Sequence, residues 1–261
     1  MTESANGGVI DLHGEWHLAC ADGAHEAAIT LPGDVHSALH AAGLIPDPYF
    51  GRNEEAVQWV AERDWVIERR VVVPDISGSW YLDIDYLDTV AVVFVNDIPV
   101  LSADNCFRRY RPDVSHALQP GENTIRIVFH SSITAGAERQ ARQPFYIPYS
   151  TANSPIPNGN MLRKPQCHFG WDWNIAIAPL GIYGTLSLKK LDPARIEHVE
   201  TEQVHHADGR VELKVTATIH SVEPAVVPIH FALDADRIRL DVGIAAGETK
   251  VVHVFEVENP R

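Results

Sequence analysis

The chain has 261 residues, 45% of them apolar, with 35 Asp plus Glu against 21 Lys plus Arg and a formal net charge of −14. That apolar share suffices for a packed core and the length for more than one domain, while the acidic balance argues against nucleic acid as a partner. No stretch approaches the ~20 apolar residues of a membrane helix, and the start, MTESANGGVIDLHGEW, lacks a basic segment followed by an apolar run, so the expectation is a soluble, cytoplasmic protein with no membrane partner.

Along the chain, DVHSALHAAG predicts a short helix with Asp34 as N-cap, Val35 and Leu39 on one side and Gly43 as its stop. NEEAVQWV predicts a second, with Asn53 as cap and Glu54 and Glu55 in the first turn. A strand is expected over 65–73. WYLDIDYL (80–87) alternates Trp80, Leu82, Ile84 and Tyr86 against Asp83 and Asp85, which reads as a half-buried strand with one wet face. VAVVFVN (90–96) reads as a more fully buried strand ending in an Asn96-Asp97 turn. Pro120-Gly121 then leads into TIRIVFH, where Ile125, Ile127 and Phe129 share a face, and a further strand is expected over 182–188. Many short strands with turn signals and little helix are the pattern of an all-β sandwich or jelly roll.

Asp192-Pro193 is a breaker, and after it the pattern changes. No tryptophan follows Trp173, and IEHVETEQVHH, ADG and RVELKVTATIH read as a hairpin. The expected domains are residues 1–191 and 192–261. The second is shorter than the ~100 residues of a complete immunoglobulin-like sandwich, so it is expected to be incomplete and to leave a sheet edge unpaired.

Most familiar chemistry has no anchor here: GxGxxG, GxxxxGK, HExxH and GxSxG are all absent. Cys20, Cys106 and Cys167 are odd in number and far apart, which predicts free thiols with neither a disulfide framework nor a CxxC metal site. The histidines are scattered. His205 and His206 adjoin a hairpin turn, where strand neighbours point to opposite faces, and read as a wet edge rather than as metal ligands. No cofactor or metal is expected. The stretch RKPQCHFGWDWN (163–174) stands apart, because it sets a carboxylate, Asp172, between Trp171 and Trp173. Burial of an acid costs several kcal/mol unless it is paired. Two readings stay open: an internal hydrogen bond in a loop pinned by aromatics, or a ligand rich in hydroxyls and apolar C–H faces, which means a sugar.

The order of segments in LPGDVHSALHAAGLIPDPYFGRNEEAVQWVAERDW (31–65) resembles the amino-terminal region of β-mannosidases of glycoside hydrolase family 2: a proline-glycine turn, a short helix, an IPDP-type loop, an asparagine-glutamate helix and a final tryptophan. LDTVAVVFVN, NCFRRYRPDV and LQPGENTIRIVFHSS are similar to the family's sugar-binding sandwich, and RKPQCHFGWDWN to its HFGWDW segment. The resemblance covers nearly the whole chain. It implies a galactose-binding-like jelly roll, a partial immunoglobulin-like sandwich and, beyond this chain, a carboxy-terminal (β/α)8 barrel bearing the two glutamates of a retaining hydrolase. No catalytic residue carries over, and the chain alone is expected to hydrolyse nothing. Asn53-Glu54 spells the dipeptide that accompanies the family's acid/base, yet a capped acidic first turn explains it. In the family, the aspartate of the Trp-Asp-Trp loop contacts hydroxyls of a terminal mannose. The resemblance therefore implies that Asp172 binds a β-mannoside in the complete enzyme, with Trp171 or Trp173 on the sugar face and Arg163 and His168 either touching ligand or orienting Asp172. Phe169 and Trp173 also read as packing residues. Asn174 departs from the glycine-proline of many relatives, so a different backbone path after Trp173 is expected. The alternatives are a free-standing carbohydrate-binding module and a structural domain with no sugar site.

Overall fold

The period-two pattern of 121–129 gives the core its centre. In the computed structural model, which describes residues 8–149 and 154–257, Ile125, Ile127 and Phe129 are fully buried on one face of strand Gly121–Phe129. That strand pairs antiparallel with Trp65–Val73 on one side and Ala91–Val95 on the other. The sheet grows outward from there to six strands, through Gly14–Cys20 and Glu26–Leu31 at one end and Ile98–Ala103 at the other. Asn96 and Asp97 take φ of 49° and 62° and turn the chain between Val95 and Ile98, as the turn signal predicts.

Two three-stranded sheets supply the rest of the sandwich. Ser79–Ile84, Leu186–Leu191 and Val9–Asp11 form one, and Gly33–Asp34, Gly181–Ile182 and Leu87–Asp88 the other. Their Leu82, Ile84, Leu87, Ile182 and Leu188 share one core with Trp16, Leu18, Ile67 and Ile127 of the large sheet. This is the expected all-β architecture. The strand expected over 182–188 is broken in two, because residues 183–185 leave the ladder: Tyr183 N donates to Tyr86 O and Asp85 N to Thr185 O. The wet face expected for 80–87 is also wrong. Asp83 is 1% exposed and lies between Arg109 (Nε to Oδ1, 2.6 Å) and Lys189 (Nζ to Oδ2, 2.6 Å). Burial pushes its carboxyl up, but these cations outweigh it and hold it at about 2. In Ala91–Val95, expected to be more fully buried, Val92 and Phe94 are half-buried, with the Arg126 guanidinium 4.2 Å from the Phe94 ring centre.

Among the described residues, three α-helices flank the strands. Helix α1 (Val35–Ala41) is capped by Asp34, which accepts from Ser37 N at 2.9 Å, and Gly43 follows its end with φ 69°. Helix α2 is a single turn, Asn53–Ala56, continued as a 3₁₀ turn at Gln58–Val60. Its cap is Arg52 and not Asn53, whose amide donates instead to Asp47 O at 2.8 Å. Helix α3 (Ser132–Ala141), which the sequence reading does not anticipate, is capped by Ser131 accepting from Thr134 N.

The chain divides into two compact units, Met1–Lys190 and Leu191–Arg261. The second holds the anticipated hairpin, Ala194–His205 against Val211–Ser221, with Gly247–Val257 on the far side of the latter and a separate pair, Ala225–Leu233 with Asp236–Ile244. Ala217, Ile219, Val251 and Phe255 of one sheet and Val227, Ile229, Phe231 and Ile244 of the other form its core.

Candidate functional site

The Trp-Asp-Trp stretch folds as a tight hairpin. Phe169–Trp171 pairs with Asn174–Ala176, leaving Asp172 and Trp173 as the two turn residues. Its foot is a small core of Phe169, Ala176, Ala178, Ile156 and Leu162, with Phe169 only 1% exposed. Gly159 lies flat against the Phe169 ring, where a Cβ would come within 2.5 Å of Cγ. Polar contacts from distant segments hold the hairpin's second strand: Glu54 Oε2 accepts from Ala176 N at 3.2 Å, and Gln58 Nε2 donates to Ala176 O at 2.6 Å. Ser154 Oγ donates to Phe169 O at 3.1 Å. Asn174 Nδ2 donates to Cys167 O at 2.9 Å, so the residue that departs from the family pattern ties the second strand to the segment before the first.

The tip is open. Asp172 is exposed and makes no hydrogen bond or ion pair to another described residue. Trp171 is 46% exposed and Trp173 71%, so Phe169 packs as expected but Trp173 does not. An indole inside the hairpin turn is carried outward by the turn itself. Among the described residues, then, Asp172 has no internal hydrogen bond, whereas an acceptor flanked by open indoles is present.

The structure separates the other candidates. Arg163 is exposed, and its carbonyl accepts from Cys106 N. The adjacent Lys164, which the sequence reading passes over, is the cation that matters to the fold. Its ammonium is fully buried, 2.5 Å from Asp88 Oδ2, and also donates to Pro179 O. Burial raises the Asp88 carboxyl, but the Lys164 charge outweighs it and keeps it below the usual carboxylate range. Burial pushes the Lys164 ammonium down, with Asp88 opposing. Thr89 Oγ1 donates to the same carboxylate, and His168 Nδ1 lies 3.2 Å from Asp88 Oδ2. His168 thus abuts the buried pair and has no hydrogen bond to Asp172. Only a lysine's position before an apolar, aromatic run hinted at this pair, since Asp88 is 76 residues away.

Next to the hairpin, α1 and Tyr86 bound a cavity of about 480 Å³ that is also lined by Tyr49, His168, Asn174 and Tyr183. Burial raises the Tyr183 phenol well above its usual value, so it stays protonated. No group of three or more His, Cys, Asp or Glu among the described residues is arranged to hold a metal ion.

Residues 16–184 match the family described as glycosyl hydrolase 2 galactose-binding domain-like. The β-mannosidase of Bos taurus is 31% identical over 196 residues, 72% of this chain and 22% of the relative. β-Mannosidase B of Thermothelomyces thermophilus is 28% identical over 241 residues, 90% of this chain and 26% of the relative. The crystal structure of the β-D-mannosidase from Dictyoglomus thermophilum aligns with a TM-score of 0.83 at 26% identity, covering 97% of this chain and 31% of that one. An exo-chitosanase from Amycolatopsis orientalis, at 14% identity and a TM-score of 0.67, shares the fold. The chain thus spans between a fifth and a third of the length of the β-mannosidases it matches, and no (β/α)8 barrel occurs among its described residues. With well over half of its length matched, the chain belongs to the glycosyl hydrolase 2 family, corresponding to the amino-terminal, galactose-binding domain-like region of β-mannosidase-like proteins.

Proposed function

We propose that this chain is the non-catalytic amino-terminal part of a β-mannosidase-like retaining glycosidase, and that its Trp-Asp-Trp hairpin helps to shape the pocket for a terminal β-mannosyl residue. The observation that carries the reading is the hairpin tip: a carboxylate without a partner among the described residues, between two open indoles, on a foot locked by Phe169. An ionised carboxylate accepts hydroxyl hydrogen bonds that are stronger than neutral ones, and an indole face covers the apolar face of a pyranose. The barrel of the complete enzyme supplies the acid/base and the nucleophile. The tip's exposure also suits the second reading, a free-standing carbohydrate-binding module, in which the same residues bind sugar without a barrel.

The test is Asp172→Ala in the enzyme that includes the barrel. A lost charge-assisted hydrogen bond is worth ~1.5–3 kcal/mol, so kcat/KM is expected to fall roughly 10- to 150-fold. Because the foot and not the acid holds the hairpin, Tm should barely change. A large drop in Tm with near-normal kcat/KM would overturn the assignment.

A further inference from the structure

Strand Gly247–Val257 ends the three-stranded sheet of the second unit, and no strand lies on its free side among the described residues. Such an edge is a template for another strand. The other edges of this unit are guarded. Ala194–His205 has a register shift between Ile196 and His198 and carries Glu200 and Glu202 in succession on one face. Ala225–Leu233 contains Pro228, which lacks a backbone N–H. On Asp236–Ile244, Arg239 is already paired with Asp241 at 3.1 Å. Gly247–Val257 has no proline, and its pairing with Val211–Ser221 runs without a shift.

Its side chains make this edge self-complementary. Lys250, Val252, Val254 and Glu256 alternate on the exposed face, while Val251 and Phe255 belong to the small core. When two copies of the strand lie antiparallel with His253 opposite its own counterpart, Val252 faces the second copy's Val254 and Lys250 faces its Glu256. Two-fold symmetry repeats each contact, giving two ion pairs and two valine pairs on one face. A slip of one residue would set exposed positions against core positions. A slip of two sets either Glu256 against the second copy's Glu248 or Val252 against its Glu256. Only the register centred on His253 matches charge to opposite charge and valine to valine.

The neighbouring strand gives a further reason for a cation at this place. Glu256 stands directly opposite Glu212, and like charges so placed destabilise a sheet. Glu212 has His206 Nε2 at 3.1 Å, but neither Glu256 nor Lys250 has a side-chain partner among the described residues. A lysine on an edge deters foreign strands, and here the chain's own Glu256 answers it.

We propose that the second unit pairs with a second copy of this chain through Gly247–Val257, antiparallel about His253, joining two three-stranded sheets into one of six strands. The contact is one strand wide and ~30 Å long, smaller than the ~1,200 Å² of a stable interface, so the dimer is weak, with Kd on the order of 100 µM. At low-micromolar concentration the chain is a monomer with this edge open. The pairing depends on neither the Trp-Asp-Trp hairpin nor a barrel.

Sedimentation velocity of the purified chain from ~2 to ~500 µM tests this. A reversible monomer–dimer equilibrium is expected, weakening as salt rises. Lys250→Glu and Glu256→Lys should each raise Kd at least ~10-fold, because each turns two attractive pairs into repulsive ones. Mixed in equal amounts, the two variants should form a heterodimer of near-original affinity, since every pair is again of opposite sign. Amide exchange compared at ~2 and ~500 µM should slow across 249–257 and stay unchanged across 236–244. A chain that stays monomeric at ~500 µM would overturn the proposal. So would dimerisation indifferent to both reversals, a mixture that does not associate, or protection on a strand other than Gly247–Val257. Protection of 249–257 seen only when a barrel is joined to the chain would give the edge to another part of the enzyme and overturn it too. Both charged side chains are exposed, so the variants should melt with the unmodified chain. If one does not fold, the concentration-dependent exchange of the unmodified chain and its salt dependence decide the matter.

Discussion

His36 and Asp83 are both buried, and acid should reach them in different windows. The His36 imidazole has a folded-state pKa of about 4, against ~6.5 for an unperturbed histidine. Between those values the unfolded chain takes up the proton first, so stability falls as pH drops from ~6.5 toward 4, by roughly 3 kcal/mol in total. Asp83, held at about 2 by Arg109 and Lys189 against burial, starts from ~3.9 when unfolded. Its contribution of roughly 2 kcal/mol is complete above that value and disappears as pH falls through 2. Urea unfolding followed from pH 7 to pH 2 should therefore show two separate declines, the upper one missing in His36→Leu. An unchanged upper slope in that variant would show that His36 is not the group being titrated. The Lys164–Asp88 pair makes a different demand, since neither charge reaches water. Lys164→Met leaves an uncompensated buried carboxylate and should cost ~3–5 kcal/mol, while the double change Lys164→Met/Asp88→Leu should recover most of that loss. A single change that costs less than the double one would contradict an intimate pair.

At the scale of elements, the hairpin owes its geometry to residues far away in sequence. Glu54 and Gln58 reach it from α2 and the following 3₁₀ turn, 122 and 118 residues from Ala176. Gly159 offers the sharpest test. A methyl there would meet the Phe169 ring at 2.5–2.8 Å, and that ring is locked in its own small core. Gly159→Ala is therefore expected to destabilise unit Met1–Lys190 by ~1–3 kcal/mol and to broaden the Trp171 and Trp173 indole resonances. A variant with unchanged melting and sharp indole signals would mean that the hairpin is held without Phe169. The local parts of this architecture were legible. The strand over 65–73 has the expected bounds, and Asp34 caps α1 as its spacing predicts, because periodicity and capping are properties of a few consecutive residues. What was not legible depends on distant partners. Asp83 looked like a solvent-facing acid, since the cations that bury it lie 26 and 106 residues on. Helix α3 escaped because SITAGAERQA has weak apolar periodicity and an internal glycine. Gly136 is there for a close approach, its absent Cβ lying 2.9 Å from Asn158 O. The Trp-Asp-Trp motif was legible as a site candidate, but its open tip was not, because a two-residue turn decides which way Trp173 faces.

At the scale of the whole molecule, the two units differ in how their strands are supported. In the larger unit, Gly121–Phe129 has hydrogen-bonded neighbours on both sides and a buried face. In the smaller unit, among the described strands, Val211–Ser221 alone has two neighbours. Gly247–Val257 has one, and Ala225–Leu233 and Asp236–Ile244 pair with each other. Strands with one neighbour expose backbone groups and can open without disturbing a whole sheet. Valines stand on these strands at high exposure, Val226 at 74%, Val252 at 48% and Val254 at 43%, where they contribute little to a core. Amide hydrogen exchange should follow that order: slowest across 125–129, intermediate across 211–221, and fastest across 236–257, apart from amides near Ile244, Val251 and Phe255 of the small core. Exchange measured by mass spectrometry on the isolated chain, over seconds to days, gives the comparison directly. Uniformly slow exchange from 211 to 257 would show that the outer strands are as firmly held as the central one, and so are covered rather than open. If the fast segment slows when the chain is joined to a barrel, the open edge is a surface that such a barrel protects. If it stays fast, the second unit is loose even in the assembled protein.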